Sequence, residues 1–265
     1  MNRNAPGGTN VLTMQRPGTR RVLILFGKSI LAVLSLAVML LLYAEGYVVW
    51  YAEYHLGVPT EAELAALPVT GPLCPIEAGS PYVALADMPP LLRQAVIAST
   101  GPDFQTRPNL VLPAMVAAII KGDGRPDTRI TFAVTRHCLH VLAPDCCRGT
   151  DWHIGSLVFM SRLERTLSRE RILESYLNDT YLGRNAYGVA AAATAHFGKP
   201  LASLDIGEIA LLMARFQMPM ASQRDSERRN DILDRMLAAG LIDEAQAAAA
   251  KAAPLSLIAA PPRKP

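Results

Sequence analysis

No formal charge interrupts the run from Ser29 to Ala44, SILAVLSLAVMLLLYA, and apolar character resumes as YVVWY at 47 to 51 after Glu45-Gly46. The uncharged run alone is short for a membrane span. Taken from about Val22 to Tyr51, with Lys28 and Glu45 reaching toward opposite interfaces, the segment can cross the roughly 30 Å hydrocarbon core. Tyr43, Tyr47, Trp50 and Tyr51 then form an aromatic belt on the exit side. Farther along, apolar residues recur at helical spacing in short stretches broken by Gly and Pro. Thr60-Glu61-Ala62-Glu63 is a capping box that opens a helix to about Leu67. Pro89 and Pro90 lie in the first turn of a helix from about Asp87 to Ser99, which Gly101-Pro102 stops. Further helices are predicted from Pro113 to about Lys121, Ile130 to Leu142, 154 to 167, and 169 to 178 with Ser168 as N-cap. The last four are 187 to 196 closed by Gly198, 206 to 217 opened by the Asp205-x-x-Glu208 box, 227 to 239 ending at Gly240, and Asp243 to Ala252. No series of strands with period-two alternation is present, so the expected fold class is mainly α.

Charge adds a direction to this pattern. Arg3, Arg16, Arg20, Arg21 and Lys28 precede the first acidic residue, Glu45, which predicts a cytoplasmic N-terminus; no A-x-A cleavage site follows, so the segment reads as an uncleaved anchor. The rest of the chain is then extracytoplasmic. With 26 basic and 23 acidic residues overall, the part beyond the anchor is near balance, and nucleic-acid binding has no electrostatic support. Hydrophobic residues make up 51% of the chain, ample for a buried core.

Cys74, Cys138, Cys146 and Cys147 would meet an oxidising compartment, where a disulfide is permitted. Cys138 could pair with Cys146 or Cys147, and the spacing does not fix the connectivity. The stretch HCLHVLAPDCCRGTDWH at 137 to 153 invites a metal site, since His137 and His140 share a helix face. Its spacings match no common zinc pattern, however, and a disulfide with ordinary surface histidines is the simpler reading. No metal ligands are therefore assigned.

The stretch SRERILESYLNDTYLGRNAYGVAAAATAHFGKPLASLDIGEIALL, 168 to 212, resembles the peptidoglycan glycosyltransferases of family 51. That family's K-x-x-I-L-x-x-Y-x-N motif corresponds to Arg169, Ile172, Leu173, Tyr176 and Asn178, with Arg in place of Lys. Tyr181-Leu-Gly183, Ala186-Tyr187-Gly188 and His196-Phe197-Gly198-Lys199 follow it. Downstream, Arg228, Ile232 and Leu233 stand in register with an R-x-x-x-V-L motif; upstream, YVALADMPPLLRQAVIAS at 82 to 99 is similar to the segment before the family's first motif. The resemblance implies a lysozyme-like helical fold and polymerisation of lipid II into glycan strands. In that reaction one glutamate takes the acceptor hydroxyl proton, and a neighbouring carboxylate, basic residues and often a divalent metal stabilise the diphosphate leaving group.

Against that pattern the catalytic motifs are broken. Counting back from Phe104, the base glutamate of E-D-x-x-F-x-x-H-x-G falls on Thr100 and its aspartate on Gly101, while Arg107 and Asn109 hold the histidine and glycine positions. A threonine hydroxyl is far too weakly basic to replace a carboxylate. In DTRITFAVTRH, 127 to 137, aligned with G-x-S-T-I-T-Q-Q-L-x-K-N, Phe132 and Ala133 replace the glutamines and only Arg136 keeps the basic character at the end. The glutamate of R-K-x-x-E falls on Ser156, or on Trp152 in the alternative register. Asp103 and Asp151 are the remaining carboxylates that could stand in, although both are shorter than Glu and displaced along the backbone.

Arg136, Arg169, Asn178, Tyr181, Lys199 and Arg228 are the candidate substrate-binding residues. Each also has a structural alternative: architecture for Asn178 and Tyr181, the helix C-terminal dipole for Lys199. Arg162, Arg165, Arg169 and Arg171 could form a basic face over a diphosphate or an anionic lipid surface, or be solvated with partners along the helix. The expected organisation is a basic cytoplasmic tail at 1–21, an anchor at 22–51, a linker at 52–81, a glycosyltransferase-like domain at 82–252 and a Pro-rich tail at 253–265. The expected function is that of a degenerate, single-pass bacterial inner-membrane protein of cell-wall synthesis that binds lipid II, glycan or a synthase partner without turnover. It would need no cofactor, and a divalent metal such as magnesium only if it were active. The alternatives are an active transferase with relocated carboxylates and a structural membrane partner without ligand.

Overall fold

The computed structural model describes residues 18–74, 81–121, 128–144, 146, 149–220, 223–255 and 257–258, with side chains from Lys28 onward. The Pro-rich tail therefore lies largely outside the described residues. The chain divides into two compact units, 1–47 and 48–265.

Among its described residues the first unit is the greater part of helix α1, Gly18–Tyr54. Ile30, Leu31, Leu34, Leu40, Leu41 and Tyr43 are all exposed, and the stretch Gly27–Tyr54 has a mean hydropathy of 2.0. Its 28 residues rise about 42 Å at 1.5 Å each, long and apolar enough to cross a membrane.

The second unit begins with the last turns of α1, where Ala52 is buried and Glu53 accepts a 2.5 Å hydrogen bond from Arg162. Helix α2, Glu61–Ala65, starts with the anticipated capping box: Thr60 Oγ1 accepts from Glu63 N–H while Glu63 accepts from Thr60 N–H. One helical group packs α5, Arg129–Leu142, against α6, Thr150–Thr166, and α7, Arg169–Asp179, with α2 and α4, Leu112–Lys121, on α6. The other surrounds α9, Ile206–Gln217, with α3, Pro90–Thr100, α8, Gly188–Phe197, α10, Asp225–Ala238, and α11, Glu244–Ala252. Helix α7 lies against α8 and joins the groups. Helix α9 can take the centre because Ile209 to Ala214 is apolar all round and fully buried. Its one buried cation, Arg215, is neutralised by both oxygens of Asp225 at the start of α10, at 2.9 and 2.7 Å.

Two findings differ from the sequence reading. Helix α6 begins at Thr150 rather than near 154, because Gly149, at a φ of 59°, turns the chain directly into it and brings Trp152 and His153 onto the helix. Cys138 pairs with Cys74, 64 residues away, rather than with Cys146 or Cys147. Local spacing favoured the near cysteines; the bond is decided by where the segment ending at residue 74 lies against α5.

Candidate functional site

The stretch aligned with the family's first motif is a helix end and the turn after it. Thr100 closes α3 and is buried, its hydroxyl 3.5 Å from that of Ser99, and Arg235 holds the Ser99 carbonyl at 2.7 Å. Gly101 is confined as well, since a Cβ there would lie 3.2 Å from the Ile130 side chain. Asp103 is exposed; its backbone carbonyl, not its carboxylate, organises the turn by accepting from Thr106 and Arg107 N–H. Phe104 is buried between two guanidinium groups, with Arg169 5.2 Å and Arg107 5.7 Å from its ring centre.

These arginines converge on a carboxylate that the sequence pattern did not single out. Glu164, buried on α6, accepts from both Nη atoms of Arg107, from Thr131 Oγ1 at 2.6 Å and from Leu110 N–H at 2.7 Å. Arg169 stands 3.8 Å away and ties down the loop through the Phe104 and Arg107 carbonyls and Asn109 Oδ1. Burial by itself would raise the Glu164 pKa. The hydrogen bonds from Arg107, Thr131 and Leu110, with the charge of Arg107, outweigh it and hold the group below the ordinary carboxylate value. A carboxylate so saturated is a poor proton acceptor for a substrate hydroxyl. The available signal was an acid one helical turn beyond the apolar run 157 to 160, a position that demands a partner when buried.

Ser156 lines an apolar cavity of about 380 Å³ with Met115, Ile119, Phe132, Leu157 and Met160, and its hydroxyl donates to the His153 carbonyl at 3.1 Å. No carboxylate lines this cavity among the described residues. Asp151, in the first turn of α6, is half-buried and accepts from Tyr51 Oη at 3.2 Å.

A second, polar cavity of about 610 Å³ brings together two of the candidate substrate residues, Arg136 and Tyr181. Helix α5 contributes Arg136, His137 and His140, α6 contributes Trp152, and the end of α7 contributes Asp179. Tyr181 and Tyr187 form an antiparallel bridge with their rings 5.1 Å apart. Gly188 permits that approach: at a φ of 79° its N–H reaches the Thr180 carbonyl, and a Cβ would fall 2.2 Å from the Asn178 carbonyl oxygen. Asp179 is buried and takes a 2.6 Å hydrogen bond from Ser175. Burial raises its pKa, opposed by the Ser175 bond and the charges of His137 and Arg171. The cavity lining offers one carboxylate beside three basic side chains, a donor set that does not suit magnesium, which takes hard oxygen ligands. Among the described residues no three His, Cys, Asp or Glu side chains cluster to hold a metal ion.

The other candidates lie apart from this cavity. Asn178 is architectural: its amide accepts from Val83 N–H at 3.0 Å and donates to the Val83 and Glu174 carbonyls, fastening residues 82–85 to α7. Lys199 pairs with Glu208 at 2.7 Å, and Arg228 lies 4.0 Å from Asp225. Of the two readings offered for Arg162, Arg165, Arg169 and Arg171, the partnered one fits better, and Arg165 lies 3.3 Å from Glu61. Arg162 is buried on the Val58 and Pro59 carbonyls and Glu53, and Arg171 is bound to Glu174 and the Pro68 carbonyl.

The helical domain carrying the 168–199 stretch fits the resemblance drawn from the sequence, and comparison with known proteins agrees. Residues 74–237 match the transglycosylase family, and the chain belongs to it. A Cupriavidus necator protein described as a candidate transglycosylase is 31% identical over 186 residues, covering 66% of this chain and 79% of its own length. Penicillin-binding protein 1A of Pseudomonas aeruginosa is 38% identical over 109 residues, 39% of this chain and 13% of the relative. That of Escherichia coli is 32% identical over 175 residues, 62% and 20% respectively. The chain thus spans about a fifth or less of the length of these two penicillin-binding relatives.

Proposed function

We propose that this transglycosylase-family protein binds the lipid-linked peptidoglycan precursor or the nascent glycan and does not polymerise it. One observation supports the reading: Thr100 and Ser156, onto which the resemblance maps the family's catalytic glutamates with Trp152 as the alternative for the second, are buried hydroxyls, while the buried carboxylate of α6, Glu164, is already saturated by donors. Asp103 lies on an exposed turn and Asp151 accepts a hydrogen bond from Tyr51 Oη, settings that ready neither carboxylate as a base. The polar cavity supports retained binding, because aromatic faces and hydrogen-bonding groups are what a saccharide uses. The apolar Gly27–Tyr54 helix supports membrane attachment. The one-sided N-terminal charge and the Cys74–Cys138 disulfide support a cytoplasmic N-terminus with the domain in an oxidising compartment outside the bacterial inner membrane.

A second reading, retained transferase activity, has one observation in its favour. Asp179 lines the polar cavity, and burial raises its pKa, the direction of shift expected of a carboxylate that accepts a proton. Purified full-length protein incubated with labelled lipid II decides between the two. The expected result is binding without glycan product. Processive product that disappears in Asp179→Asn, Asp103→Asn or Asp151→Asn overturns the first reading. Absence of binding, with co-purification of a peptidoglycan synthase, would leave a structural partner role instead.

A further inference from the structure

One wall of the polar cavity is held by a covalent bond. Cys74 and Cys138 are joined and fully buried, and Cys138 directly follows His137 on α5. The bond keeps the backbone of residue 74 beside the His137 ring, whose Nε2 lies 2.6 Å from the Cys74 carbonyl oxygen. A carbonyl only accepts, so Nε2 carries the proton and Nδ1 is the ring's remaining polar atom. His137 and Asp179 both line the cavity, and Trp152, Tyr181 and Tyr187 supply apolar faces. A pyranose has this same duality, C–H surfaces that pack on aromatic rings and hydroxyls around the edge that need fixed donors and acceptors.

We propose that the Cys74–Cys138 disulfide presets the recognition residue of this cavity: by holding the Cys74 carbonyl on His137 Nε2–H, it leaves Nδ1 to accept from a saccharide hydroxyl. Saccharide affinity therefore depends on the oxidised bond. The inference rests on the cavity being the glycan-binding site. His137 is the binding residue and the disulfide its positioning device. The family motif has asparagine at this position, whose amide could likewise donate to a carbonyl and present an acceptor, so Asn is the conservative replacement.

Two measurements on the full chain in detergent micelles test this. Nitrogen NMR of histidine-labelled protein reads the His137 tautomer, its signal assigned by its loss in His137→Asn. The expected result is a single Nε2–H form in the oxidised protein and a mixture of tautomers in Cys74→Ser/Cys138→Ser. Binding of fluorescent lipid II is expected to weaken about tenfold in Cys74→Ser/Cys138→Ser and in His137→Phe, as for loss of one well-placed hydrogen bond, and to be largely kept in oxidised His137→Asn. An unchanged tautomer, or equal affinity in the folded double-serine variant, overturns the role of the disulfide while leaving the binding site in place. Should the double variant fail to fold, undiminished affinity in His137→Phe, which keeps the disulfide, overturns the proposal instead. A wild-type chain that binds no lipid II overturns the glycan-site reading itself, and with it the ligand assigned to His137.

Discussion

At the scale of single residues, Glu164 and Arg107 form a buried ion pair beside the turn after α3, with side chains 1% and 6% exposed. Neither is tolerable alone in that setting: removing one partner of a buried pair typically costs about 3–5 kcal/mol, since the other is left uncompensated. Glu164→Ala is therefore expected to destabilise by that order in chemical denaturation, and Arg107→Ala similarly. The Glu164 pKa lies below its unfolded value in the folded state, so its stabilising contribution is complete above about pH 4.5 and disappears as the pH falls through the lower, folded value. The urea midpoint of the wild type should drop steeply below about pH 4.5 and that of Glu164→Gln much less; superimposable acid profiles would refute the assignment. Thr100 and Ser156 could be read from the sequence as emptied catalytic positions, because counting along a motif needs only one dimension. Arg107 could be counted as the residue at a histidine position, but its pairing with Glu164, 57 residues on, could not.

At the scale of elements, helix boundaries follow local rules where caps are strong. Asp205 Oδ1 accepts from Glu208 N–H at 2.8 Å while Glu208 accepts from Asp205 N–H, as the box predicts. Asp205→Ala should cost about 1 kcal/mol, read as a shift of the thermal midpoint. Gly188→Ala should be far worse, because a Cβ would have to displace the Asn178 backbone rather than a flexible side chain; a variant as stable as wild type would show that the turn between α7 and α8 is not rigid. The start of α6 was misjudged because its N-terminal turn depends on Gly149 rather than on a capping side chain. Connections between elements escape local rules altogether. The Cys74–Cys138 bond closes a loop of 64 residues, and loop-closure entropy gives it roughly 4 kcal/mol of stabilisation. Reduction or serine replacement should lower the unfolding midpoint accordingly.

At the scale of the molecule, an apolar helix long enough to cross a membrane followed by a transglycosylase-family domain fits a membrane-anchored protein. The full chain is expected to stay in the membrane pellet after alkaline extraction. A reporter or protease-protection assay is expected to find Val48 onward outside and the basic tail inside; the reverse orientation would contradict the charge argument, and with it the oxidising compartment that the disulfide needs.

The sequence by itself determined the helical class, the long apolar N-terminal helix, most helix limits and the family. All of these follow from spacing, capping or register, which are properties of neighbours along the chain. The tertiary structure alone decided which charges neutralise one another, which cysteines pair, and that Arg136, His137, Asp179 and Tyr181 face a common cavity. Those outcomes depend on distances between segments tens of residues apart. Packing around α9 and between α5, α6 and α7 sets those distances, because buried charges and polar groups must find partners wherever the fold brings them.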